Sequence, residues 1–373
     1  MDQKRIIDEF KELVSIEVHS RDERAIADVL KEKLTALGLT VTEDKAGEAL
    51  GGNTGNLYAQ LPGSTDGEPV LFSAHMDRVG NHGHIVPLVK EEEGKIVSDG
   101  TSILAGDDIG GVAAILAMLR EVKEKQIPHG PIEVAFSVCE ETGVEGSRQY
   151  DFSKFNAKSA FVYDASGKAG TIVLAAPSKG RVTIRVHGVT AHAGNEPEKG
   201  LNALKVAADL ILQLPDGRLS PVSTANFSII EAGSATNVVC DLVTITGEQR
   251  SRDAKEYQQI SADIQAAADR ISEKYHTKIE VELHTLYHAF KLAETARPCV
   301  LAKEAAEAVG AAPFFKEGGG GMDANHFNEH GIAAVEIGTG NFKCHTSEDY
   351  QVIDDLVKCA KQAVEIVKLA AGK

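Results

Sequence analysis

Three short apolar runs constrain what this chain can fold into, because each one stops at residues that carry chemistry. Residues 70–74 end at His75-Met76-Asp77, residues 132–138 end at Cys139-Glu140-Glu141, and residues 160–163 end at Asp164. Apolar runs of this length, bounded by polar residues, read as buried strands. A fourth stretch, Ile103 to Gly111, sets Asp107-Asp108 between glycines, directly ahead of Val112, Ile115, Leu116, Leu119 and Val122 at helical spacing. That spacing predicts an acidic pair at a helix N-terminus, where the macrodipole favours negative charge. Asp108 can then cap the helix, leaving Asp107 to point elsewhere. Taken alone, such a pair is an ordinary helix cap. Open α/β sheets, however, carry their sites outside the carboxyl ends of their strands, and this chain concentrates its histidine and carboxylates there.

At 373 residues the chain exceeds the length over which one core usually keeps growing, so two domains are expected. Asp and Glu number 55 against 39 Lys and Arg, a net charge of -16. This disfavours a nucleic acid or an anionic membrane as partner. The N-terminal MDQKRIIDEFKELV reads as an amphipathic helix, and no targeting or transmembrane segment is expected. The five cysteines (Cys139, Cys240, Cys299, Cys344 and Cys359) form no C-x-x-C pair, which fits a reducing cytoplasm without disulfides.

In chain order, helices are expected over 4–18 and 23–37, the second closed by Gly38, with strands over 39–43 and 56–61. On a strand, His75 and Asp77 face the same way, an arrangement in which a carboxylate orients a metal-binding imidazole. His82 and His84 read as loop histidines. Glu140 and Glu141 should face opposite ways at a strand end, so that one can bind metal while the other acts as a base. From residue 181 the pattern becomes strand 181–187, helix 200–214, strands 226–231 and 238–249, helix 253–275 and strand 278–284, the β-α-β-β-α-β order of a ferredoxin-like unit. The chain then returns with a helix over 296–309, the run Gly318 to Gly321, a strand over 333–337, His345, and a helix over 354–369. The expected domains are therefore 1–179 with 293–373, which bind metal, and an inserted lid or dimerisation domain, 180–292.

Together His75, Asp107, Glu141, Asp164 and His345 supply two imidazoles and three carboxylates, a set suited to borderline divalent ions such as zinc. A carboxylate shared by two ions, each with an imidazole and a further carboxylate, makes a two-metal site. The motifs SAHMD, ILAGDD, EETG, YDAS and CHTSED, in this order and interrupted by an α/β insertion, resemble the co-catalytic zinc peptidases that include peptidase T, carboxypeptidase G and aminoacylase. The wording GEALGGNTGNLYAQLPG and GGGGMDANHFNEHGI is most similar to the peptidase T branch.

The resemblance implies an α/β zinc-exopeptidase sheet flanked by helices, with an inserted ferredoxin-like lid. It implies that Asp107 bridges two metals, that His75 and Asp164 hold one, and that Glu141 and His345 hold the other. It further implies Glu140 as general base, Asp77 as the residue orienting His75, and a cis peptide between Asp107 and Asp108. In the lid it implies His192 as an oxyanion donor, able in dimers to reach the partner's site, and Asn237 and Arg250 as substrate contacts. Gly319 and Gly320 would offer backbone N–H donors to the substrate. The expected activity is a cytoplasmic metallo-aminopeptidase releasing the N-terminal residue of tripeptides, with two zinc ions (cobalt or manganese as alternatives) and a homodimer formed through the lid. An N-acyl-amino-acid amidohydrolase or carboxypeptidase of the same family is the alternative, and a non-catalytic metal-dependent binding protein is the second.

Overall fold

The structure, a computed structural model, describes residues 1–80 and 83–372, so His82 lies outside the described residues. The chain splits into two compact units, Met1–Ala176 with Phe290–Lys373, and Pro177–Ala289.

The first unit is built on a nine-stranded sheet. At its centre the strands Ile132–Ser137, Val70–His75, Ser159–Ala165 and Ala333–Gly338 lie side by side and parallel, with Val70 in register with both Ile132 and Ser159. This common register brings the ends of the three chemistry-bearing runs to one edge of the sheet. Along each strand alternate residues serve different cores. Phe72, Val134, Phe136, Phe161 and Tyr163 pack on one face, while Leu71, Ala135, Ala160 and Val162 pack with Tyr150, Phe155 and Phe327 on the other. Burial on both faces is why these strands lack polar alternation and appear in the sequence as unbroken apolar runs.

The helix Gly106–Glu124 packs on the strands Val70–His75 and Ser159–Ala165 and against the helices Gln3–Val14 and Ile353–Ala370. Val112, Ile115, Leu116 and Leu119 are buried in it, each stabilising the fold by about 1.5–3 kcal/mol. Asp107 and Asp108 have non-helical backbone angles, and the peptide between them is cis, as the family resemblance implied. Asp108 caps the regular turns that follow, its Oδ1 accepting the Gly111 N–H at 3.2 Å while its Oδ2 accepts the His75 N–H at 3.1 Å. Gly111 is dictated by space, since a Cβ there would lie 2.0 Å from the carbonyl oxygen of Tyr163, the residue before Asp164.

The first helix is shorter than its periodicity suggests, ending at Val14, whereas the second ends at Gly38 with a left-handed φ of 99°, as expected. Among the described residues no helix is long and apolar enough to cross a membrane. A four-stranded sheet of Asn341–Phe342, Tyr350–Val352, Lys95–Ser98 and Pro87–Lys90 was not foreseen, because its strands are too short to carry a periodic signal.

The second unit is a five-stranded antiparallel sheet in the order Gly217–Ser220, Ser223–Ala232, Leu242–Ser251, Ser178–His187, Ile279–Tyr287. Helices Ala203–Ile211 and Ala254–Tyr275 cover one face, packing Val206, Leu210, Ile260 and Ile264 on Val182, Ile184, Val243 and Ile245. This is the ferredoxin-like arrangement with one additional edge strand, Gly217–Ser220.

Candidate metal centre

Asp107 lies between two imidazoles. Its Oδ1 is 3.0 Å from Nε2 of His75, and its Oδ2 is 3.2 Å from Nε2 of His345. Each imidazole meets one further carboxylate, Asp164 at 3.6 Å from His75 and Glu141 at 3.0 Å from His345. The five residues expected to hold metal are thus gathered into one cluster in the first unit. Within it His75 stands beside Asp164 and His345 beside Glu141, with Asp107 between the two imidazoles. Ligand atoms of His75, Asp107 and Glu141 lie within 4.8 Å of one another, as do those of His75, Glu140 and Asp164.

The electrostatics of the cluster favour a cation. Burial and the neighbouring Asp107 push Asp164 well above the ordinary carboxylate range, and burial with the charge of Asp164 does the same to Glu140. Burial also raises Glu141, although the hydrogen bond to His345 opposes it. Asp107 is the exception. Burial works against its charge, yet the hydrogen bonds to His345 and His75 hold it below the usual range. Contacts with Asp107 and Glu141 in turn raise His345 to about 10. Oxygen and imidazole nitrogen donors crowded at this density fit divalent ions of the zinc class, whose charge relieves the repulsion among the carboxylates.

The backbone oxygen of Asp77 lies 2.9 Å from Nδ1 of His75, while its carboxylate stands 3.4 Å away. That carboxylate turns instead to the loop carrying the two glutamates, accepting N–H bonds from Glu140 at 3.0 Å and Glu141 at 3.2 Å. Glu140 and Glu141 do not diverge by strand alternation, as the sequence suggested. The strand stops at Ser137, and Cys139, with a φ of 51°, turns the chain so that the glutamates sit in a loop.

Several residues of this region escaped the sequence reading. Ser20 donates to Asp77 at 2.6 Å, and Ser137 donates to Asp323 at 2.5 Å. Asp323 is buried, and its Oδ1 has no partner among the described residues. Burial pushes Glu336, on the strand Ala333–Gly338, up to about 8. Nothing in local spacing distinguishes these residues from ordinary polar positions.

The remaining candidates are dispersed. Gly319 and Gly320 lie in the loop after the strand Phe314–Glu317, also in the first unit. In the second unit His192 is an exposed loop residue whose Nδ1 accepts the N–H groups of Gly194 and Asn195, and Asn237 accepts the Ala193 N–H at 3.0 Å. His192 and Asn237 are therefore neighbours. Arg250, on the strand Leu242–Ser251, donates from Nε to Glu248 at 2.6 Å.

Comparison with known proteins places the chain. Residues 177–276 match the M20 peptidase dimerisation domain, and residues 56–196 match peptidase family M28. The chain is 36% identical to the Bacillus subtilis (strain 168) protein YqjE, with all of both chains covered. The solved structure of aminopeptidase PepT from Bacillus cereus matches over all of both chains at a TM-score of 0.90 with 37% identity. A tripeptidase from Staphylococcus aureus, again covering all of both chains, matches at 0.94 with 33% identity. With identity at this level along its whole length, the chain belongs to the peptidase T-like branch of the M20 peptidases.

Proposed function

We propose that the protein is a metal-dependent aminopeptidase that releases the N-terminal residue of short peptides, tripeptides foremost. The observation that carries this reading is the position of Asp107, one carboxylate oxygen on each of His75 and His345, with Asp164 and Glu141 completing the two halves. In this reading His75 and Asp164 would hold one divalent ion, His345 and Glu141 the other, and Asp107 would be shared between them. When bound, such a pair polarises a carbonyl and lowers the pKa of water toward about 7. Zinc suits the donor set, with cobalt and manganese as alternatives.

Glu140 is the group that moves the proton. Its backbone is fixed by Asp77, so its carboxylate can take a proton from water at Oε and return it to the departing amine. His192 donates to the developing oxyanion, Asn237 and the N–H groups of Gly319 and Gly320 hold the peptide backbone, and the fork of Arg250 suits a terminal carboxylate. A homodimer through the second unit is supported by Ile229 and Ile230, each 53% exposed on a strand whose short neighbour, Gly217–Ser220, pairs only as far as Ala225. A cytoplasmic setting is supported by the five free thiols.

The test is steady-state release of amino acids from a tripeptide and from its N-acetylated form, after chelation and after return of zinc, cobalt or manganese. Metal-restored cleavage of the free-amine peptide alone is expected. Cleavage of only the blocked peptide would make the protein an acylase or carboxypeptidase, and no turnover with any metal would make it a binding protein.

A further inference from the structure

The loop that carries Glu140 and Glu141 is held by side chains from three distant parts of the chain. Beyond the strand end at Ser137, four consecutive backbone N–H groups are each accepted by a side-chain oxygen. Val138 donates to Asn56 at 2.9 Å, Cys139 to Glu23 at 3.0 Å, Glu140 to Asp77 at 3.0 Å and Glu141 to Asp77 at 3.2 Å. Consecutive N–H groups around a left-handed residue form an anion-binding concavity, and here the protein fills it with the amide oxygen of Asn56 and the carboxylates of Glu23 and Asp77. Asp77 already has a place beside His75. Glu23 has none in the chemistry described so far.

Glu23 is fully buried at the start of the helix Arg24–Leu37, yet among the described residues none of its hydrogen bonds is with a cationic side chain. Its Oε1 accepts the N–H of Arg21 at 2.9 Å and that of Cys139, with the Cys139 thiol at 3.5 Å, while Oε2 has no partner among the described residues. Burying a carboxylate without a cation is costly, and an apolar residue would pack this helix start without that cost. What an apolar residue could not do is accept the Cys139 N–H at the point where φ turns positive. We propose that Glu23 is a positioning residue for the catalytic loop, fixing the turn at Cys139 that sends Glu140 and Glu141 to their separate tasks. The inference rests on the reading of Glu140 as base and Glu141 as ligand, and the hydrogen bonds of Glu23 go to Arg21 and Cys139 rather than to either glutamate.

The test compares Glu23→Ala, Glu23→Gln and Leu30→Ala in the metal-loaded enzyme, the last being a core truncation on the same helix. Glu23→Ala should lower kcat by about 10–100-fold, as loss of a supporting hydrogen bond does around metal sites, with KM within about threefold. Amide hydrogen exchange over residues 138–141 should quicken by about tenfold, matching the loss of one buried hydrogen bond. Glu23→Gln, whose amide oxygen can still accept the Cys139 N–H, should restore kcat to within about threefold of wild type, and Leu30→Ala should lower the unfolding temperature while sparing kcat. Should Glu23→Ala not fold, Glu23→Asp, with an arm too short to reach, carries the same expectation. Unchanged exchange over 138–141, unchanged kcat, or a Glu23→Gln enzyme as impaired as Glu23→Ala overturns the proposal. The exchange readout needs no substrate, so a wild-type protein inert toward tripeptides would sink the functional reading while faster exchange still upheld the positioning role.

Discussion

Asp77 holds Glu140 by the backbone, its Oδ1 accepting the Glu140 N–H at 3.0 Å, while the other oxygen takes the N–H of Glu141. A single residue thus links the imidazole of His75, through its backbone oxygen, to both glutamates, through its carboxylate. Replacing Asp77 by Ala removes both acceptors and should lower kcat/KM by about 10–100-fold, the usual effect of losing support behind a metal ligand. Steady-state assays alongside metal titration against a chelator measure it.

The two glutamates should separate by experiment. Glu140→Gln is expected to lower kcat by about 10²–10⁴-fold, the contribution typical of a general base, with bound metal unchanged. Glu141→Ala should instead release part of the metal. Elemental analysis of the purified variants distinguishes these outcomes, and metal loss from Glu140→Gln would exchange the two roles.

His192 is exposed and packs in no core, so His192→Ala should leave the unfolding temperature unchanged. As an oxyanion donor it should nevertheless cost about 10²–10³ in kcat. Activity within a few-fold of wild type would remove His192 from the mechanism.

Glu23 makes stability depend on pH in a defined direction. Burial, reinforced by the charge of Asp77, raises its pKa from 4.5 to about 6, so the native state keeps a proton that the unfolded chain has already lost. Stability should be greatest below about pH 4.5 and fall as pH rises to about 6, by about 2 kcal/mol from this group. Denaturant unfolding of the metal-free protein between pH 4 and 7, with Glu23→Gln subtracted as a reference, isolates that slope. A flat or rising difference would contradict it.

Gly111→Ala places a methyl group 2.0 Å from the Tyr163 carbonyl oxygen. The strand backbone at Tyr163 and the capping carboxylate of Asp108 leave little room to relax, so a loss of about 3 kcal/mol is expected, together with displacement of Asp107 or Asp164. Thermal unfolding and metal content, measured on the same preparation, test both consequences.

His75 and Asp164 stood out in the sequence because strands buried on both faces leave a plain apolar signature whose end is marked by a polar residue, and Asp107 because an acidic pair between glycines precedes a helical period. The expected opposite facing of Glu140 and Glu141 rested on a strand that in fact stops at Ser137, and the left-handed Cys139 beyond it makes a turn that period-two reasoning cannot see. Ser20, Asn56 and Glu23 were invisible for a different reason. Their bonds to Asp77, Val138 and Cys139 span 57, 82 and 116 residues, and separations of that kind leave no local pattern. The edge strand Gly217–Ser220 was missed because four residues cannot establish a period.

His75, Asp107, Glu141 and Asp164 all precede the second unit in the chain, whereas His345 follows it. A ribosome must therefore synthesise the whole of Pro177–Ala289 before the fifth member of the set exists. Until then the nascent polypeptide carries only four of the five residues proposed to hold metal.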